Sequence, residues 1–276
     1  MGMRFSKMHG LGNDFVVIDG TVQPVDLPEG KIRALADRHR GIGFDQLLIL
    51  ERGTDADTFG YRIFNADGSP AEQCGNGLRC LARYVFEHGY ATGGTVRFGN
   101  GTSTQEARLA SDGRVTVDMD RPVLEPAHIP FTAAERAPSY TLNVNGLALT
   151  IGAVSMGNPH AVLRVDDIRA APVTELGPAI ENHPAFPQRA NVGFAEIAGR
   201  SRIRLRVWER GTGETLACGT GACAAVVWGR LMEWLDPVVE VQLPGGKLEI
   251  GWTGPEASIL TTGPAVTVFK GEFHKQ

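Results

Sequence analysis

Short runs rich in Val, Ile and Phe recur along the chain, and Gly, Asn, Asp or Pro bound each run. Runs of this length and composition are typical of β-strands separated by turns. With 35 glycines available for those turns, the pattern predicts a strand-dominated protein that contains a few helices. The predicted strands include residues 15–18, 46–50, 61–64, 114–119, 161–165, 203–207, 238–243 and 266–269.

Two segments follow a helical pattern instead. After Cys74, apolar residues recur at the helical period, and Gly89 stands where a C-terminal cap is expected. After Cys218, residues 222–232 are apolar on nearly every side, which predicts a buried helix inside a curved sheet. The first pattern is formed by Leu78, Leu81, Ala82, Val85 and Phe86.

Short signatures occur twice in the same order, and each C-G-x-G follows a predicted strand that ends in an aromatic residue. Three ordered matches predict a duplicated domain, and hence an α+β protein of two pseudo-symmetric domains. The prolines after Arg121 place the boundary so that the domains span residues 1–121 and 122–265. The matched pairs are Gly12-Asn13 with Gly157-Asn158, Gly43-Phe44 with Gly193-Phe194, and C-G-N-G at 74–77 with C-G-T-G at 218–221.

Composition and charge narrow the class of partner. The 276 residues are 42% hydrophobic, and 27 basic against 31 acidic residues give a net charge of −4. This balance argues against nucleic acid or an anionic membrane as partner. The first residues lack a signal-peptide pattern and no apolar run is long enough to span a bilayer, so we expect a cytoplasmic protein with reduced cysteines.

A cysteine at a helix start combines two chemical properties. The helix N-terminus lowers the pKa of a thiol, and its N–H groups can bind an anion such as a carboxylate. If the two domains face each other, Cys74 and Cys218 approach one substrate from opposite sides. One thiolate and one thiol then satisfy the two-sided proton transfer that inversion of a carbon centre requires.

Other interpretations of the cysteines are weaker. Burial as small residues suits Cys80 and Cys223, which fall within the helices on other faces. A zinc site is not supported, because the chain has no C-x-x-C and no His at ligand spacing. A disulfide between Cys74 and Cys218 would block the base. No dinucleotide, P-loop or pyridoxal-phosphate pattern is found, so we expect no cofactor and no metal.

Several segments resemble one family. N-A-D-G-S at 65–69 with C-G-N-G-L-R at 74–79 closely resembles the signature of the diaminopimelate epimerase family. The similarity extends from Phe5 almost to the end of the sequence. The other matching blocks are K-M-H-G-L-G-N-D-F at 7–15, G-F-D-Q-L-L at 43–48, G-N-P-H at 157–160 and E-R-G-T-G-E-T-L-A-C-G-T-G at 209–221.

The resemblance implies a fold, a reaction and an assembly. It implies two strand-built barrels, each around a central helix, with the active site in the cleft between them and a final strand at about 266–276 that returns to the first domain. The implied reaction interconverts LL- and meso-2,6-diaminoheptanedioate, for lysine and peptidoglycan precursors, without a cofactor. A homodimer is also implied, although Phe269 stands where many members have Tyr near the dimer contact.

The resemblance also implies the site residues. The catalytic pair falls on Cys74 and Cys218, with His160 and Glu209 tuning the thiols. Helix-start N–H groups would hold the reacting carboxylate, while Arg210 and Glu209 would bind the distal carboxylate and ammonium. The substrate-binding positions are Asn13, Gln46, Asn65, Gly75, Asn76, Asn158, Asn191, Glu209, Arg210, Gly219 and Thr220.

Two rival functions stay open at this point. A two-thiol racemase of proline or hydroxyproline would need a hydrophobic cleft for a ring, whereas Glu209, Arg210 and several amides favour a long zwitterion. A non-catalytic amino-acid-binding protein with the same duplicated fold would not need both thiols. The two cysteines therefore favour an enzyme over a binding protein.

Overall fold

A computed structural model describes residues 2–53, 58–71, 74–99 and 104–274. The chain divides into two compact units, which we call unit 1 and unit 2. Unit 1 comprises the residues up to Asp118 and those from Gly263 onward, and unit 2 comprises Met119–Thr262. The predicted domain limits at residues 1 and 276 lie outside the described residues.

The elements follow in chain order. The first segment of unit 1 contains β1 (Gly2–Gly10), β2 (Asn13–Asp19), α1 (Glu29–Ala36), β3 (Gln46–Arg52), β4 (Thr58–Asn65), α2 (Gly75–Glu87), β5 (Thr95–Gly99), β6 (Thr104–Leu109) and β7 (Val115–Asp118). Unit 2 contains β8 (Tyr140–Val144), β9 (Leu147–Ser155), β10 (Pro159–Arg164), α3 (Val173–Glu181), β11 (Asn191–Gly199), β12 (Arg202–Glu209), β13 (Gly213–Thr215), α4 (Gly219–Leu231), β14 (Val238–Leu243), β15 (Gly246–Gly251) and β16, which begins at Leu260. Strand β17 (Val266–His274) belongs to unit 1.

The two units repeat one pattern of strand pairing. In unit 1, β1 and β2 are antiparallel, β2 and β3 parallel across α1, and β3 and β4 antiparallel; after α2, β4 and β5 are parallel and β5, β6 and β7 antiparallel. In unit 2 the same sequence of pairings runs through β9, β10, α3, β11, β12, α4, β14, β15 and β16. The predicted duplication is therefore confirmed by the topology.

Strand β17 completes the repeat. It pairs antiparallel with β1, and Met3 lies opposite Phe273. In unit 2 the corresponding place beside β9 is taken by β8, which directly precedes β9 in the chain. Unit 1 thus receives from the far end of the sequence a strand that unit 2 receives from its own beginning.

A helix lies at the centre of each unit. Helix α2 contacts β1, β2, β3, β6, β7 and β17, and α4 contacts β9, β10, β11, β12 and β15. Both predicted helices are confirmed, and α4 is buried along almost its whole length. Helix α2 ends at Glu87 and His88 is its C-cap; Gly89 then has φ +70° and Tyr90 N–H donates to the carbonyl of Val85, as expected of a glycine cap.

The predicted strands are all confirmed, whereas two α-helices and the 3-10 helix Pro126–His128 were not predicted. Helix α1 has eight residues and only Ile32, Leu35 and Ala36 are buried, so its apolar period is too short to detect. Helix α3 contains Gly177 and Pro178, which sequence rules assign to turns. Within the described residues, no helix is long and apolar enough to cross a membrane.

Unit 2 contains a close contact between a strand and its central helix. A Cβ added at Gly152 in β9 would lie 2.3 Å from the indole carbons of Trp228 in α4. The indole cannot move freely, because its N–H donates to the carbonyl of Pro138 at 3.1 Å. The absence of a side chain at Gly152 therefore sets how closely α4 approaches this strand.

We predict that Gly152→Ala lowers the free energy of unfolding by about 1–3 kcal/mol, because the added methyl group overpacks the strand–helix contact. Urea denaturation would measure the change. Gly193→Ala is the matched control: Gly193 lies in β11, two strands from β9 in the same sheet, but the nearest atom to an added Cβ is 3.5 Å away. Equal losses in the two variants would contradict the packing argument.

Candidate active site

In unit 1, Cys74 immediately precedes the central helix. Its backbone is extended, with φ −126° and ψ 110°, and its carbonyl accepts the N–H of Leu78 at 2.9 Å, which makes it the N-cap of α2. The thiol is half-buried, and its sulfur lies 3.7 Å from Oδ1 of Asn13. The N–H groups of a first helical turn have no carbonyl partner within the helix, so Gly75 and Asn76 lie where an anion can bind.

The side chain of Asn13 is fixed from both ends. Its Nδ2 donates to Oδ2 of Asp45 at 3.0 Å, and its Oδ1 accepts from Nδ2 of Asn76 at 3.2 Å. Because a carboxylate can only accept from an amide, Asp45 determines which end of the Asn13 amide faces the thiol. Asn76 is in turn held by the buried guanidinium of Arg79, which donates to its Oδ1.

Charged residues hold the groups that orient the Asn13 amide. The carboxylate of Asp14 accepts hydrogen bonds from Arg38 and from Lys7. Burial alone would raise the pKa of Asp14, but the bonds from Arg38 and Lys7 outweigh it and hold that pKa well below its usual range. Arg38 also bonds to Asp45 at 2.7 Å, so the carboxylate that orients Asn13 is itself anchored. Sequence reasoning did not single out this group, although Asp14 and Asp45 lie within the matching blocks at 7–15 and 43–48.

Gln46 and Asn65 meet across a pair of strands. They lie opposite each other where β3 begins and β4 ends, and Nε2 of Gln46 donates to Oδ1 of Asn65 at 3.2 Å. Asn65 also donates to the hydroxyl of Ser69 at 3.1 Å. The strand register therefore brings together two amides that are far apart in the sequence.

In unit 2, Cys218 has the position that Cys74 has in unit 1. It is the N-cap of α4, with φ −117° and ψ 107°, and its carbonyl accepts the N–H of Ala222 at 3.0 Å. The residue is 5% exposed, and its sulfur lies 3.5 Å from the hydroxyl of Thr220. A Cβ at Gly221 would lie 3.3 Å from that sulfur, so a larger residue there would crowd the thiol.

The electrostatics of Cys218 differ from the expectation for a helix start. Burial raises the pKa of the Cys218 thiol well above its usual value, and the negative charge of Glu209 raises it further. Hydrogen bonds from Thr220 and from the N–H of Gly221 lower the pKa, but they do not outweigh burial and Glu209. The predicted lowering toward neutrality is thus wrong for Cys218, because a buried thiolate loses more hydration than the helix terminus replaces.

Glu209 and Arg210 lie where β12 ends and the turn to β13 begins. Glu209 is the last residue of β12, and its carboxylate accepts the hydroxyl of Thr215. The N–H of Arg210 donates to Oδ1 of Asn191 at 2.9 Å, and its guanidinium donates to the carbonyl of Gln188 at 3.0 Å. Two predicted substrate-binding residues, Asn191 and Arg210, are therefore in direct contact.

His160 lies buried in β10. Its Nε2 is 2.9 Å from Oδ1 of Asn158, a second predicted binding residue. Burial, and then the charge of Arg210, lower the pKa of His160 to about 3, so the imidazole is neutral at pH 7. A neutral ring can donate one N–H to Asn158, which orients that amide. The predicted effect of His160 on a thiol stays a prediction.

The other two cysteines lie away from the helix starts. Cys80 and Cys223 are fully buried within the two central helices, and burial raises the pKa of Cys80 to about 12. All four cysteines are in the thiol form. Across the described ranges, no three His, Cys, Asp or Glu side chains are grouped as a metal site would require.

The repeated fold of the two units places this chain in a class of proteins with solved structures. Solved structures with the same fold include a phenazine biosynthesis protein of the PhzF family from Enterococcus faecalis, with a TM-score of 0.69, 15% identity and all of both chains covered. A hydroxyproline epimerase from Agrobacterium vitis has a TM-score of 0.66 and 16% identity, over 99% of this chain and 92% of that one. The chain therefore has the duplicated α+β fold of these proteins, as predicted.

Sequence comparison then identifies the family. The sequence model of the diaminopimelate epimerase family matches residues 5–125 and 152–268. The chain is 59% identical to the diaminopimelate epimerase of Halorhodospira halophila, over 98% of this chain and 94% of that protein. It is 58% identical to that of Alkalilimnicola ehrlichii, over 99% of each. This chain belongs to the diaminopimelate epimerase family and is an isomerase, which confirms the resemblance seen in the motifs.

We predict that Glu209→Gln accelerates the alkylation of Cys218 by iodoacetamide at pH 8 roughly three- to tenfold, since removal of the negative charge lowers the thiol pKa and raises the thiolate fraction. Mass spectrometry of the Cys218 peptide gives the rate. Glu214→Gln is the control, because Glu214 lies in the same hairpin but pairs with Arg206. An unchanged rate in Glu209→Gln would show that Glu209 does not act on this thiol.

Proposed function

We propose that this protein interconverts LL- and meso-2,6-diaminoheptanedioate in the cytoplasm, without a cofactor, for lysine and peptidoglycan precursor synthesis. The observation that carries the proposal is the presence of one thiol at the start of the equivalent central helix in each repeated unit. The relatives of 58% and 59% identity, named diaminopimelate epimerases, support the choice of substrate.

In the proposed mechanism, the two thiols act on opposite faces of one α-carbon. In one direction the Cys74 thiolate removes the α-proton, so that the C–H bond breaks, an S–H bond forms, and the electron pair spreads into the carboxylate. Cys218 then delivers its proton to the other face and becomes the thiolate. The raised pKa of Cys218 supports its role as the proton-bearing partner in this direction. The reverse reaction exchanges the two roles.

The reacting carboxylate gains negative charge as the proton leaves. We assign its binding to the N–H groups of Gly75 and Asn76 and of Gly219 and Thr220, at the starts of α2 and α4. Helix N-termini carry partial positive charge and need no reorganisation during the reaction, so they stabilise this charge as it develops. Each unit thereby contributes both a proton-transfer group and part of an anion site.

The other end of the substrate needs a second set of contacts. Arg210 would bind the distal carboxylate and Glu209 the distal ammonium. The amides of Asn13, Gln46, Asn65, Asn158 and Asn191 would supply hydrogen bonds, and Glu209 also raises the pKa of Cys218. A binding site of charges and amides suits a long zwitterion better than the ring of proline, which argues against the racemase alternative.

We predict that the reduced protein, incubated with LL-diaminoheptanedioate in deuterated water, incorporates deuterium at the α-carbon while forming the meso isomer. Either Cys74→Ala or Cys218→Ala should lower the rate of complete epimerisation by at least about a thousandfold, because each removes the proton-transfer group of one face. Cys80→Ala is the matched control, since Cys80 is fully buried within α2. NMR and chiral chromatography give the label and the isomer ratio.

Three outcomes separate the alternatives. Label incorporation with proline but not with diaminoheptanedioate would support the racemase instead. Binding of diaminoheptanedioate without label incorporation would favour a non-catalytic binding protein. A single thiol variant that retains full epimerisation would refute the two-base mechanism.

We also propose a homodimer, with β17 at the contact. Val266, Val268 and Phe269 on this strand are 43%, 55% and 47% exposed, and apolar side chains that are exposed close together mark surfaces for association. Phe269 packs edge-on against Phe5 at a centroid distance of 6.0 Å, so its ring is held on the strand surface by apolar packing.

We predict that Phe269→Asp shifts the protein from dimer to monomer in sedimentation velocity, because a carboxylate would be buried without a partner at the contact. The control is Leu147→Asp, which changes an exposed apolar residue of β9 in unit 2. A dimer of unchanged stability in Phe269→Asp would place the contact elsewhere.

A further inference from the structure

Glu181 is a buried carboxylate outside the proposed substrate-binding set. It is the last residue of α3 and is 5% exposed. Its Oε2 accepts the indole N–H of Trp208 at 2.7 Å, and its Oε1 accepts the backbone N–H of Gly211 at 2.9 Å and a guanidinium N–H of Arg189 at 3.2 Å. Burying a carboxylate without hydrogen-bond donors is costly in free energy. The three donors around Glu181 therefore indicate that this carboxylate has a defined structural role.

The donors bracket two residues of the proposed site. Trp208 directly precedes Glu209, and Gly211 directly follows Arg210. Glu209 is held independently, since it pairs with Gly213 in the β12–β13 ladder. Arg210 lies beyond the end of β12. The next residue, Gly211, donates its backbone N–H to the carboxylate of Glu181.

Glu181 also constrains the other side of Arg210. Its backbone carbonyl accepts the N–H of Ala190 at 3.3 Å, and Ala190 precedes Asn191, whose side chain accepts the N–H of Arg210. The side chain of Arg210 extends to the carbonyl of Gln188 in the same segment. The backbone and side chain of Glu181 therefore fix both segments on which Arg210 rests.

The position of Glu181 is itself set by close packing. A Cβ at Gly177, one turn earlier in α3, would lie 2.6 Å from Cγ of Trp208, so the helix approaches the strand end as closely as glycine allows. At this distance the carboxylate reaches both the indole N–H of Trp208 and the N–H of Gly211. Gly211 has φ +75°, a left-handed conformation that the hydrogen bond to Glu181 secures.

From this geometry we propose that Glu181 is a positioning residue for Arg210: it fixes the turn after β12 so that the guanidinium meets the distal carboxylate of the substrate. The inference rests on the proposed function, in which Arg210 binds that carboxylate. Glu181 itself transfers no proton and does not contact the substrate. Loss of the carboxylate is expected to weaken substrate binding and to leave the thiols unaffected.

The test is the effect of Glu181→Gln on KM and kcat for LL-diaminoheptanedioate. An amide cannot accept from Trp208 on one side and from Gly211 and Arg189 on the other, because one end is now a donor. We expect KM to rise about tenfold while kcat changes by less than about twofold. Merely partial unfolding would lower the apparent kcat without changing KM, since unfolded molecules bind no substrate.

Glu196→Gln is the matched control. Glu196 is a largely buried carboxylate of the same unit that also accepts a backbone N–H, from Ile168 at 3.0 Å, and a bond from Arg204. It lies on β11 away from the turn after β12, so its variant should keep the KM of the wild type. An equal rise in KM in both variants would overturn the proposal, because any lost carboxylate would then have the same effect.

A double variant separates action through Arg210 from a general effect. In the Arg210→Lys background, where the forked guanidinium is already lost, Glu181→Gln should raise KM by less than about twofold. A full tenfold rise in that background would show that Glu181 acts elsewhere. If Glu181→Gln does not fold, Trp208→Phe, which removes one donor and keeps an aromatic ring, should raise KM in the same direction; no change would overturn the proposal.

The proposal and the function on which it rests fail in different ways. If the wild-type protein does not epimerise diaminoheptanedioate, the proposed function is wrong. If the wild type is active and Glu181→Gln has a normal KM, the function stands and the positioning role is wrong.

Discussion

Each unit depends on the burial of one helix whose first turn must also be chemically useful. Strands contact α2 and α4 from several sides, so the polar groups at both helix starts need hydrogen-bond partners, either from the protein or from a bound anion. At Cys74 the nearby partners are amides, whereas Cys218 has Thr220, the N–H of Gly221 and the carboxylate of Glu209. The two thiols therefore have different chemical surroundings.

The side chains that support the two sites differ more than the backbones do. In unit 1 the residues beside the thiol are held by an ionic group around Asp14, close to the protein surface. In unit 2 the residues that precede the thiol are held by one buried carboxylate, Glu181, at a helix end. The repeated topology fixes where a thiol and its neighbouring amides can lie. The side chains that hold these groups rigid differ between the two units.

Sequence patterns were sufficient for the repeated features and insufficient for the contacts between distant residues. The C-G-x-G motifs and the apolar periods around Leu81 and Val226 predicted both central helices, because those signals are local. The short helix α1 and the Pro-containing α3 carry no such signal. Burial has the largest effect on the pKa of Cys218, and Glu181 and Gly211 come together only when the chain folds. Neither the pKa shift nor this hydrogen bond can therefore be predicted from residues that are neighbours in the sequence.

The pairing of β17 with β1 affects how the protein can fold during its synthesis. Ribosomal synthesis delivers β1 first, yet the strand that completes its sheet lies at Val266–His274, after all of unit 2. Domains generally fold as units while the chain emerges, so unit 2 has all of its strands available earlier than unit 1 has. Until β17 arrives, one side of β1 presents unpaired N–H and C=O groups, a ready template for wrong association. During synthesis, the N-terminal half is thus the part of the chain that most needs protection from wrong association.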